Sequence, residues 1–103
     1  MRVEIDKSIG PTLRTIRKVL DISTLEMAKR SGISQSYLSE LETGKKSLSL
    51  KTLATYCEVL DVQPSEVIAM VEVLNGDKDS LRAFGPKMIA VFNLLEVRGG
   101  LEL

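Results

Sequence analysis

MAKRSGISQSYLSELETGKK, residues 27–46, keeps helical spacing on both sides of Gly32, yet its outward positions carry Ser34, Ser36, Ser39 and Glu40. Ser23 is placed to cap a helix, and Glu26 three residues later completes the capping-box spacing, with Leu25, Met27 and Ala28 as apolar positions. That helix is expected to reach about Ser31. Gly32 sits where a left-handed residue must close it, and Ser34 can cap the next helix, so the two helices are joined by a very short turn and must cross steeply. The following helix covers roughly residues 35–43, with Leu38 and Leu41 inward and Gly44 at its end.

Outward from this pair the helical pattern continues. Leu13, Ile16, Val19 and Leu20 form an apolar stripe for a first helix that starts near Gly10-Pro11, since proline suits a first turn, and ends near Asp21. Ser47 or Ser49 opens a fourth helix with Leu50, Leu53, Ala54, Cys57 and Leu60 on one face, and Pro64 begins a fifth that carries Val67, Ile68, Val71 and Leu74. Residues 1–8, with alternating Val3 and Ile5, read as an extended N-terminal arm or an edge strand. Residues 9–76 form the five-helix domain, and residues 77–103 are a polar linker followed by an apolar helix. Met88, Ile89, Val91, Phe92, Leu94, Leu95 and Val97 make that last helix apolar over most of its circumference, so it must pack on something. A second copy of the chain is one answer, with Leu81, Phe84, Met88, Ile89, Phe92 and Leu95 as the expected dimerisation residues.

Composition narrows the chemistry. The 103 residues suit one small domain, and 44% hydrophobic with 27% charged residues fits an ordered core. The lone Cys57 has no cysteine to pair with and the chain has no histidine, so neither an internal disulfide nor a familiar zinc site is expected, and Cys57 reads as a small buried hydrophobe. The longest apolar runs, Val67 to Val71 and Met88 to Phe92, are five residues each, too short to span a bilayer. No signal peptide, catalytic acid–base pair, cofactor or metal is expected, and a cytoplasmic location fits. The net charge is zero, but residues 7–51 hold nine Lys and Arg against four acids, an excess of five that suits a polyanion.

Two helices joined through a glycine turn, the second presenting short polar side chains outward, have the geometry of a DNA-reading helix-turn-helix. Ala28 is small where the helices cross, Gly32 permits the turn, and Ile33, Leu38 and Leu41 bury the inner face. The stretches LRTIRKVLDIST and EMAKRSGISQSYLSELETGKKSLSLKTLATYCEVLDV, followed by PSEVI, resemble the helix-turn-helix domain of the Cro/C1 (XRE) family of transcriptional regulators. The resemblance spans residues 9–74 and implies an all-α, five-helix, lambda-repressor-like domain, here with an additional C-terminal helical segment.

Carried over by position, the resemblance implies base contacts from Gln35, Ser36 and Glu40, with Tyr37 and Ser39 beside them. Their chemistry agrees, since Gln can pair with adenine, Ser with any base and Glu with the cytosine amino group. It implies phosphate contacts from Ser23 and Thr24 at a helix N-terminus and from Thr43, Lys45 and Lys46 after the recognition helix. Arg17 and Glu42 match the family's internal ion pair. Thr24 departs from the family's usual Gln, which leaves the brace onto Gln35 open. The expected function is a repressor that binds a palindromic operator as a homodimer. An antitoxin that binds a toxin or other protein partner and represses its own operon, a restriction-modification controller, and an interaction module without DNA binding stay open beside it.

Overall fold

The computed structural model describes residues 5–98, and these fold as six α-helices and one 3-10 helix: α1 (Ile5–Val19), α2 (Thr24–Ser31), α3 (Gln35–Glu42), α4 (Leu50–Leu60), α5 (Pro64–Leu74), the 3-10 helix (Lys78–Ala83) and α6 (Pro86–Val97). The expected all-α class holds, and the local signals explain most of the boundaries. Ser23, Ser34 and Ser49 each have extended backbone, and each hydroxyl oxygen accepts a backbone N–H three residues on, from Glu26, Tyr37 and Thr52. Gly32 closes α2 at φ 76°, as the α2–α3 turn requires.

One boundary differs. Residues 5–8 are the first turn of α1 rather than an arm, and Pro11 lies inside the helix; the rest of the expected arm falls outside the described residues. Proline in a helix interior forfeits a backbone hydrogen bond, so local signals alone argue for a start at Pro11. Packing overrides them. Ile9 is buried in the core, and a Cβ built on Gly10 would come within 1.9 Å of the Leu41 carbonyl oxygen, so the N-terminal half of α1 lies directly against the end of α3.

The stripe on α4 is also rotated from the one expected. Leu50 is 82% exposed and Ala54 faces solvent, whereas Leu53, Tyr56, Cys57 and Leu60 are buried, a phase of three, four and seven residues. Likewise Leu25, at the exposed first turn of α2, lies outside the core, while Met27 is fully buried.

The segment after residue 76 belongs to the same core. Phe84, Met88, Val91 and Leu95 join one cluster with Ile9, Leu13, Tyr56, Val67 and Met70, and Leu81 and Phe92 pack against it half-buried. Of the six residues expected on a dimer face, Phe84, Met88 and Leu95 are thus already covered by their own chain, and only Ile89 is exposed. Two polar ties seat α6: Glu66, whose Oε1 accepts the Gln63 N–H at the start of α5, accepts the Gly85 N–H at 2.7 Å through Oε2, and Lys87 donates to the Leu60 carbonyl at the end of α4. The helix keeps an apolar outer strip of Ile89, Leu94 and Val97. None of the described helices is long and apolar enough to cross a membrane.

Candidate nucleic-acid interface

Leu38 and Leu41 drive one face of α3 into the core and so turn the opposite face outward. Gln35, Ser36, Tyr37 and Ser39 are exposed on it, and Glu40 is half-buried. The five residues expected to meet bases therefore share one short helix. Thr43, Lys45 and Lys46 are exposed in the loop that follows, where the Lys46 N–H donates to the Glu40 carbonyl and folds the loop back on the helix end.

The expected phosphate contacts are not equivalent. Ser23 Oγ accepts the Glu26 N–H at 3.0 Å, which leaves its own proton free to donate. Thr24 Oγ1 lies 3.4 Å from Gln35 Oε1, a long bond that nonetheless places Thr24 beside the residue a glutamine would brace. The Thr43 hydroxyl instead donates to the Ser39 carbonyl at 2.8 Å, so its proton is committed to its own helix.

Beneath this surface lies a buried polar network. The Arg17 guanidinium donates twice to Glu42, Nε to Oε2 and Nη2 to Oε1, each at 2.9 Å, and its Nη1 donates to the Ile22 carbonyl at 2.7 Å. Both side chains are almost wholly enclosed, with 5% and 3% exposure. Tyr56, fully buried on α4, donates its hydroxyl proton to Glu42 Oε2. One carboxylate thus ties the end of α3 to α1 and α4, while Arg17 reaches on to the loop that leads into Ser23.

Such a fork-to-carboxylate pair is geometrically specific, which suits a part that sets the angle of a reading helix. The bond to Glu42 holds the Arg17 pKa above its ordinary value, burial opposing it more weakly. Burial, and then the neighbouring carboxylate, push the Tyr56 hydroxyl well above the usual phenol range, so it remains a donor at any ordinary pH. Tyr56 is absent from the sequence-based site. Its signal was its phase, three residues after Leu53 and four before Leu60, on the face that the misplaced Leu50 obscured.

A helix-turn-helix family model matches residues 12–67, more than half of the chain, from the middle of α1 into α5. The chain belongs to the helix-turn-helix family. It is of the Cro/C1 type, a class of DNA-binding transcriptional regulators and not of enzymes. Among similar proteins, the antitoxin PezA of Streptococcus pneumoniae is 31% identical over 69% of this chain and 45% of its own length. The immunity repressor protein of Bacillus phage phi105 is 25% identical over 92% of this chain and 65% of its own. The chain therefore spans roughly half to two thirds of the length of these two relatives. Among solved structures, the clp gene regulator ClgR from Corynebacterium glutamicum superposes with a TM-score of 0.65 at 31% identity, over 69% of this chain and 92% of that one. A second crystal structure of that regulator covers 92% of this helix-turn-helix chain, with a TM-score of 0.64 at 27% identity.

Proposed function

We propose that this chain is a sequence-specific repressor that binds a two-fold symmetric operator as a homodimer. The observation that carries the reading is the outer face of α3, where Gln35, Ser36, Tyr37, Ser39 and Glu40 stand out over a helix locked from beneath by Arg17, Glu42 and Tyr56. A locked helix has its orientation prepaid, which is what direct readout in a major groove needs. Residues 9–76 read the DNA: Gln35, Ser36 and Glu40 meet base edges, Tyr37 and Ser39 flank them, and Ser23, Thr24, Lys45 and Lys46 hold the backbone. Thr43, whose hydroxyl proton goes to the Ser39 carbonyl, has none to give a phosphate.

One helix-turn-helix unit contacts few base pairs, whereas two units related by a two-fold axis read half-sites about 10 bp apart and double the phosphate contacts. The outer strip of α6, with Ile89 46%, Leu94 43% and Val97 82% exposed, supports the pairing of two chains, as an apolar surface that gains by being covered. Such a regulator works in the cytoplasm, where its DNA is. The likeness to the antitoxin PezA supports a second reading, in which the same strip holds a toxin and the chain represses its own operon. Selection of binding sites from a random duplex pool tests the proposal. Enrichment of an inverted repeat with half-site centres one helical turn apart is expected; enrichment of a single unrepeated site contradicts the dimer, and no enrichment at low salt contradicts the DNA reading.

A further inference from the structure

Beside the recognition helix, α1, α2 and α3 enclose an open groove of about 350 Å³, lined by Arg14, Lys18, Thr24, Ser39 and Thr43 over a floor made by the Arg17–Glu42 pair. Arg14 and Lys18 are both exposed and lie four residues apart on α1, so their side chains are neighbours on one face. Among the described residues neither has an ion-pair partner, because the only carboxylate in the groove, Glu42, is engaged by Arg17. Two like charges at this spacing destabilise a helix, a cost that a shared anion reverses. Opposite them stands the first turn of α2, where free N–H groups and the helix dipole also favour negative charge. The groove's lining thus carries three cations against one carboxylate.

Ser39 and Thr43 identify the occupant. Ser39 lies on the recognition helix and Thr43 caps its C-terminal end one turn later, so whatever enters the groove does so alongside the bases that α3 reads. Resting on the DNA reading above, we propose that Arg14 and Lys18 together clamp one backbone phosphate of the bound duplex, and so fix how deeply α3 sits in the major groove. They are positioning residues, acting on the backbone and carrying no base preference of their own.

The test compares wild type with R14Q/K18Q and R14K/K18R on the selected duplex, by fluorescence anisotropy across a potassium chloride series. Both positions are solvent-facing, and thermal unfolding of each variant verifies the fold. Neutralising the pair is expected to lower the slope of log K against log salt by about one per protomer, with the selected base sequence unchanged. R14K/K18R, which keeps both charges, is expected to keep the wild-type slope. An unchanged slope in R14Q/K18Q, while wild type binds normally, overturns the clamp and leaves the DNA reading standing. The same loss in R14K/K18R overturns it also, because shape and not charge would then be at work. A wild-type chain that binds no duplex overturns both.

Discussion

Replacing Glu42 by Gln keeps the side chain's size and removes its charge, which leaves the Arg17 guanidinium buried without its counter-ion. A buried pair that loses one partner costs about 3–5 kcal/mol, far more than a surface ion pair contributes, so Glu42→Gln is expected to move the urea midpoint strongly downward. A midpoint close to wild type would show that the network adds nothing to the fold. Titration of two neighbouring buried groups gives a second check. Burial, helped by the nearby Glu66, raises the Cys57 thiol from 9.0 to about 12, and Tyr56 is raised from 10.0. In the folded chain both hold their protons to higher pH than in the unfolded chain, so their contribution is complete below pH 9 and is lost as pH rises through the folded values. By pH 10 the loss from Cys57 alone is on the order of 1 kcal/mol, read as a fall in denaturation midpoint between pH 8.5 and 10.

At the scale of the helices, two rules disagree over Gly10, which makes it informative. In a helix interior Ala is favoured over Gly by about 1 kcal/mol, so propensity alone predicts that Gly10→Ala stabilises. Contact with α3 predicts the reverse, because the added Cβ would lie 1.9 Å from the Leu41 carbonyl oxygen and force the helices apart, at about 3 kcal/mol. Loss of stability by chemical denaturation is the expected result. The same contact explains why the start of α1 was illegible in the sequence: Pro11 is a strong local signal, and nothing local reveals a carbonyl thirty residues away. Serine caps, the Gly32 turn and the inward Leu38 and Leu41 were legible because each follows from near-neighbour geometry. The α4 phase was not, since Leu50 and Tyr56 compete for the core, and it is the distant Glu42 carboxylate on α3 that gives the Tyr56 hydroxyl its short buried hydrogen bond.

For the whole molecule, the issue is what the C-terminal segment covers. An apolar helix after a polar linker reads equally as a partner surface or as part of the core, and here its two sides separate. Met88→Ala empties a fully buried site in the chain's own core and is expected to cost about 2–5 kcal/mol, whereas Ile89→Lys with Leu94→Lys changes only the outer strip. The double variant is expected to keep its thermal stability as a monomer while sedimentation shows dissociation of the dimer; an unaltered dimer would place the interface elsewhere. For the same reason a chain ending at Gly76 is a poor test of dimerisation, since it loses Phe84, Met88, Val91 and Leu95 from the core. Whether the outer face of α3 reads bases is decided by Gln35→Ala, through a repeat of the duplex selection with that variant. Preference is expected to be lost at one base pair in each half-site, by about 1–3 kcal/mol on the original operator, while affinity for unrelated DNA stays the same. Re-enrichment of the unchanged operator, or an equal loss on every sequence, would contradict it.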